Sequence, residues 1–349
     1  MKKLISIFLI ITICLCFFAS CGGNQNQNTP SDTMPSTTTN PSSPAVNSNV
    51  KIAFVKNLSG VGALSFIDKA EKGETAEKYN ISLAQDTEEI TSNFTNGDLD
   101  IASLPLDSAA RLYNKTQGGI SIIAITSDAM FYLIENGDDI KSIADLKGKN
   151  ILTAGKGTLA EYTLAYILEN SNLKAGEDVT IEYVADYTDA LSKAEDSSYD
   201  VVLLPEPYAT ALTQKNSDFK IKINLYEEWE KITNGASIPS NVIAVRSDYL
   251  KDNKSIVDNF LKEYAESTKN VTENMESIST LLEKYEITKP EMTETIIKNL
   301  KPVFITGADM KKQADYFLKI IGEVNTDAIG GNLPDNSFYY TPQTNSSVK

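Results

Sequence analysis

Histidine is absent from all 349 residues, and this removes most of the catalytic chemistry a chain of this length can carry. No Ser-His-Asp triad, imidazole base or His-ligated zinc or iron site can be assembled. The three cysteines are Cys14, Cys16 and Cys21. The first two lie in an apolar leader, so an exported chain keeps one thiol, too few for a disulfide or a thiolate metal cluster. No cofactor and no metal are expected. Noncovalent capture remains, and the groups suited to it stand where short apolar runs give way to amphipathic stretches. A helix starting there offers unpaired backbone N–H groups to a ligand.

Four such junctions are present. At the first, Asn57, Ser59 and Gly60 leave amides accessible beside the positive charge of Lys56, or else form an ordinary cap and turn. At the second, Pro105 and Ser108 flank Asp107; Asp107 or Ser108 is placed to cap a helix through Leu112, with capping the stronger role for Asp107. The third, Gly155-Lys156-Gly157-Thr158-Leu159-Ala160-Glu161, has capping-box spacing between Thr158 and Glu161. Its glycines allow close backbone approach, and Lys156 can pair with a carboxylate, sulfonate or phosphate. It is not an NTPase phosphate loop, which needs GxxxxGK followed by Ser or Thr. At the fourth, Pro207 suits a first helical turn, and Glu206 either compensates the helix dipole or accepts hydrogen bonds from a ligand. No arginine lies in the junctions, so a bidentate clamp for an oxoanion is not apparent. A neutral or zwitterionic solute suits Lys156 and Glu206 together.

The elements that must position these junctions alternate in the manner of an α/β fold. Strands are expected at 51–55, 81–85, 100–104, 120–126, 131–135, 150–154, 179–184, 200–204, 219–224 and 242–245. Several are continuous aliphatic runs, as expected when helices cover both faces of a sheet. After Arg246 the pattern predicts helices alone. Stripes through Ile256, Phe260 and Tyr264, through Met275, Ile278, Leu281 and Leu282, and through Met310, Ala314, Phe317 and Ile321 read as core faces. Tyr132 and Trp229 are candidate aromatic walls.

The ends set the compartment. Lys2 and Lys3 precede an apolar run to Phe18, the layout of a bacterial export signal. Phe18-Ala19-Ser20-Cys21 resembles the lipobox of bacterial lipoproteins, with Cys21 the lipidation site; the leader occupies 1–21. Residues 22–50, rich in Asn, Ser, Thr and Pro, read as a flexible tether. Net charge is −15, and −17 once Lys2 and Lys3 leave with the signal, which argues against nucleic-acid partners.

Taken in order, Lys56-Asn57-Leu58-Ser59-Gly60, Asp100-Ile101-Ala102-Ser103-Leu104-Pro105, Gly155-Lys156-Gly157-Thr158 and Asp200-Val201-Val202-Leu203-Leu204-Pro205-Glu206-Pro207 resemble the type II periplasmic binding proteins. The similar branch serves ABC importers of nitrate, sulfonates, taurine and thiamine-pyrimidine precursors. Gly330-Gly331-Asn332-Leu333-Pro334-Asp335 with Phe338-Tyr339-Tyr340 resembles the C-terminal segment of a subgroup of Gram-positive lipoproteins. The resemblance implies two doubly wound α/β lobes joined by a two-strand hinge, lobe I at 51–127 and 240–349 and lobe II at 128–239. It adds Thr126, Ser127, Ser240 and Asn241 as hinge residues that bond either ligand or the crossing strands. The implied protein is a monomer, held outside the cytoplasm by a lipid anchor, that passes a small solute to an ABC permease and catalyses nothing. Two other readings are a solute sensor feeding a receptor and an enzyme on the same scaffold. Pyrimidine synthases of similar fold use a substrate histidine that this chain lacks.

Overall fold

The computed structural model describes residues 49–195 and 199–341. The signal, Cys21 and most of the tether fall outside the described residues. In chain order the strands are β1 (Asn49–Val55), β2 (Lys78–Ala84), β3 (Ile101–Pro105), β4 (Ile120–Asp128), β5 (Phe131–Asn136), β6 (Asn150–Thr153), β7 (Thr180–Tyr183), β8 (Val201–Pro205), β9 (Phe219–Asn224), β10 (Pro239–Arg246) and β11 (Pro302–Ile305). The helices are α1 (Leu64–Glu71), α2 (Thr87–Thr95), α3 (Leu106–Thr116), α4 (Leu159–Asn170), α5 (Tyr187–Lys193), α6 (Tyr208–Lys215), α7 (Leu225–Ile232), α8 (Ser247–Asp252), α9 (Lys254–Glu273), α10 (Met275–Lys284), α11 (Pro290–Asn299) and α12 (Gly307–Val324). Short 3-10 turns occupy Leu58–Ala63, Ile143–Leu146, Thr326–Ile329 and Asn336–Phe338.

All ten expected strands are present. β1 begins at Asn49, inside the stretch assigned to the tether, because Val50 is fully buried in the first sheet. β11 corrects the expectation of helices alone after Arg246. It is a four-residue edge strand that pairs with β4 only through Pro302 and Ile305, too short for a readable alternation. Met275 also leaves its expected core stripe and is 36% exposed.

Two sheets form, ordered β11-β4-β10-β3-β1-β2 and β7-β6-β8-β5-β9. Apart from β11 they share one topology. β2-β1-β3 and β7-β6-β8 are parallel triplets, each followed by an antiparallel strand. That inserted strand is the one each crossing delivers: β5 follows β4 into the second sheet, and β10 brings the chain back. β4 and β10 run side by side, with Asp128 opposite Pro239 where both leave the first sheet.

Helices cover both faces of the first sheet, which explains its unbroken apolar runs. Val242 and Ala244 of β10 face one core, and Ile243 and Val245 face the other. The first of these cores continues into the second sheet through Leu133, Ile151 and Leu203. α12 packs on β4, β10 and α4, so it joins the halves. Its Phe317 lies 5.4 Å, ring to ring, from Trp229 of α7, which also meets Tyr166 of α4 at 5.0 Å. Such aromatic pairs add roughly 0.5–1.5 kcal/mol beyond the area they bury.

Candidate ligand-binding cleft

The C-terminal ends of β1 and β3 and the starts of α4 and α5 face one another across a cavity of about 1030 Å3. Sheet ends of this kind are where open α/β folds bind ligands, since the following helices aim their first amides into the gap. Asn57, Ser59, Pro105, Asp107, Ser108 and Arg111 line the first-sheet side, together with one face of α2. Phe131, Thr158, Leu159 and Tyr187 line the second-sheet side, and Ser240 and Asn241 lie in the lining at the connecting strands.

β3 passes directly into α3. Pro105 is the N-cap, with an extended ψ of 142°, and no side chain caps the helix. This corrects the expectation for Asp107 and Ser108. The helix begins early enough that both stand in its first turn, and the Asp107 carboxylate accepts a hydrogen bond from Arg111 Nη1 at 2.8 Å. The first amides of α3 are therefore not occupied by a side chain.

α4 begins after Thr158 as its sequence implies, but the reciprocal capping box does not form. Gly155 and Gly157 adopt φ of 77° and 76° and fold the loop back on itself. Thr158 Oγ1 then donates to the Gly155 carbonyl at 2.6 Å, and Glu161 accepts from the Gly157 amide at 2.6 Å. α4 also presents a first turn without a side-chain cap. At the first junction, by contrast, the Asn57 side chain accepts from the Ser59 amide at 2.9 Å and occupies that turn itself.

Other sequence-derived candidates fall elsewhere. Lys56 pairs with Glu286 at 3.0 Å, outside the lining, and Gly60 is buried where a Cβ would meet the Val55 carbonyl at 3.0 Å. Lys156 is exposed, 5.9 Å from the centre of the Tyr183 ring, and with Gly157 lies outside the cavity wall. Pro207 is the N-cap of α6. Glu206 caps that helix through the Thr210 amide at 3.2 Å and accepts from Asn299 of α11 at 2.6 Å. It borders a second cavity, of about 120 Å3, with Ser127 and Asp128.

The hinge candidates bond the crossing strands. Asn241 Nδ2 donates to Thr126 Oγ1 at 3.2 Å and to Ser103 Oγ at 2.7 Å, while the Ser127 and Ser240 hydroxyls lie 2.8 Å apart. Trp229 is wholly buried in core, and Tyr132 is absent from the main cavity's lining. Its neighbour Phe131 lines the cavity instead, because adjacent strand residues point to opposite faces.

Arg111 was not anticipated, and it corrects the view that no arginine serves a junction. It stands three residues after Ser108 on α3, and helical periodicity places the two on one face. Nη2 donates to Ser108 Oγ at 2.7 Å, and Nη1 donates to Asp107 and to the Ala328 carbonyl, each at 2.8 Å. A guanidinium has five N–H donors, so two remain beyond these bonds. Lys115 and Glu88 add one further charge of each sign to the wall.

Known proteins share this architecture. An ABC transporter structure from Parabacteroides distasonis aligns with a TM-score of 0.70 at 19% identity, covering 84% of this chain and 99% of that one. The periplasmic aliphatic sulphonate binding protein SsuA of Escherichia coli aligns with a TM-score of 0.68 at 15% identity, covering 84% and 92%. The Candida albicans CA3427 gene product, described as having the generic periplasmic binding protein fold, gives 0.56 at 12% identity, covering 81% and 93%. No curated protein sequence matches. These likenesses define the class, two α/β lobes of the periplasmic binding protein fold. The model of the ABC transporter phosphonate periplasmic substrate-binding proteins matches residues 72–291, and the chain belongs to that family. It is a substrate-binding protein of the ABC transporter type and not an enzyme. No helix among the described residues is long and apolar enough to cross a membrane.

Proposed function

We propose that this protein captures a small organic oxoanion, a phosphonate or sulfonate on an apolar group, and delivers it to an ABC permease. The observation that carries this reading is the convergence of two helix starts without side-chain caps, α3 and α4, on one cavity from opposite sheets, with Arg111 beside them. Amide donors at helix starts and a guanidinium fork are complementary to tetrahedral anions. Phe131, Leu159 and Tyr187 supply an apolar wall that suits an organic substituent over a bare inorganic ion. The family's description names phosphonate, and the Escherichia coli neighbour is a sulphonate binder.

In this reading the lobes are 51–127 with 240–349 and 128–239, hinged where β4 and β10 leave the first sheet. Asn57, Ser59, Pro105, Ser108, Thr158, Ser240 and Asn241 contact the solute together with Arg111. The protein works outside the cytoplasm as a monomer, anchored through lipid on Cys21.

Isothermal titration with a series of alkyl- and arylphosphonates and the matching sulfonates tests the reading. At least one is expected to bind and, at about a hundred times its Kd, to add roughly 2.7 kcal/mol of stability. Arg111→Ala should weaken that binding about 10- to 100-fold, the worth of a charge-assisted hydrogen bond. Binding by none of the series, or equal affinity in Arg111→Ala, would refute it.

A further inference from the structure

The motif Gly330-Gly331-Asn332-Leu333-Pro334-Asp335 plays no part in the reading above, yet in the structure its chain lies against α3, the helix that carries Arg111. Asn114 Nδ2 donates to the carbonyls of Ile329 and Asn332, each at 2.7 Å. The Tyr113 hydroxyl meets Asp335 at 2.7 Å and Ser337 at 2.6 Å. Farther on, Ser121 donates to the Ser337 carbonyl at 2.7 Å, and the Tyr340 amide donates to the Ile122 carbonyl at 2.9 Å, which fastens the segment to β4. Gly330 packs directly against the helix. Its φ is 79°, and a Cβ there would lie 3.1 Å from the Arg111 Cα and 3.2 Å from the Asn114 Cβ.

The consequence falls on the Arg111 side chain. Asp107 and Ser108 stand on the same helix, four and three residues earlier, and move with it. A long, rotamer-rich side chain held only by such neighbours keeps much of its freedom, and ordering it on binding costs free energy. The Ala328 carbonyl, 2.8 Å from Nη1, is a hydrogen-bond partner from a separate segment. It occupies the second Nη1 hydrogen and does not move with the helix that carries Arg111.

We infer that residues 326–340 form a strap that positions Arg111 for solute binding, the Ala328 carbonyl holding the guanidinium at the cavity wall with two donors unused and Gly330 packing against the Arg111 backbone. The inference rests on the proposed oxoanion function for its consequence in affinity, but not for its structural content.

The sequence contains two arginines, Arg111 and Arg246, so a nitrogen-15 spectrum of the arginine Nε–H region contains one signal from each. Arg246 is held apart from the strap, by Asp100, Asp248 and the Gly97 carbonyl, and serves as an internal control. In Asn114→Ala and in Gly330→Ala, the order parameter of Arg111 Nε from nitrogen-15 relaxation is expected to fall below about 0.6, the range of a flexible group, while Arg246 keeps its value; Arg111→Lys assigns the signals. Calorimetry with ethylphosphonate and ethanesulfonate as probes should show a tenfold or greater loss of affinity in both strap variants. Adding Asn114→Ala to Arg111→Lys should cost nothing more, because the two changes act through one group. An unchanged order parameter at Arg111 in both variants overturns the proposal. An equal fall at Arg246 also overturns it, since the strap would then be a general stabiliser. If neither probe binds the unmodified protein, the oxoanion reading with these probes fails, and the order parameters still decide the role of the strap.

Discussion

Asp128 ends β4 with its Oδ1 buried and without a hydrogen-bond partner, while its Oδ2 lies 3.4 Å from the Tyr226 hydroxyl. Burial pushes its carboxyl up to about 6; Tyr226, Lys301 and Ser237 favour the ionised form, and Glu230 opposes it. The sign follows from linkage. Between about pH 4 and 6 the folded protein holds a proton that the unfolded chain has released, so stability falls as pH rises through that window. Asp128→Asn removes the charge without removing the shape. It should be more stable than the unmodified protein by up to about 3 kcal/mol at pH 7.5, with the gain vanishing near pH 4. Urea titrations of both proteins at several pH values measure this, and an advantage that does not depend on pH would contradict it.

At the scale of elements, the turn before α4 depends on two glycines in unlike surroundings. Both have left-handed φ, which costs an L-residue roughly 1–2 kcal/mol. A Cβ at Gly157 would meet nothing within 4 Å, whereas one at Gly155 would lie 2.8 Å from Thr158 Oγ1 and 2.9 Å from the Tyr187 hydroxyl. Gly155→Ala should therefore cost clearly more stability than Gly157→Ala. Since Thr158 and Tyr187 both line the cavity, Gly155→Ala should also weaken solute binding. Equal destabilisation by the two in chemical denaturation would show that the packing around Gly155 is looser than described.

The whole molecule is tied together by more than its two connecting strands. α12 extends one apolar core across both sheets, and Phe317 is fully buried where it meets Trp229. Two lobes that share a core should unfold together, so scanning calorimetry is expected to show one transition. Phe317→Ala should lower stability by about 3–5 kcal/mol, the usual cost of emptying a buried aromatic site. Two resolved transitions in the unmodified protein would mean that the lobes are energetically separate and that α12 serves only one of them.

Much of this organisation was legible in the residues. Runs such as Ile122–Ile125 and Val201–Leu204 are apolar at every position, which a sheet covered on both faces accommodates, and all ten expected strands are present. The absence of histidine and the presence of only three cysteines favour binding over catalysis, and both depend on composition alone. The cleft was legible in part. Asn57, Ser59, Pro105, Ser108, Thr158, Ser240 and Asn241 do line the cavity, because strand ends and helix starts converge in any such fold. Arg111, Phe131 and Tyr187 were missed: one lies a turn inside its helix, another was confused with its strand neighbour Tyr132, and the third stands on a separate helix. Lys56, Lys156 and Glu206 share the junctions' sequence signature but point to partners elsewhere. Local pattern determines where chains turn and which faces are apolar. The direction of a side chain, and the 217-residue separation closed by the bond from Arg111 to Ala328, are decided only when distant segments pack.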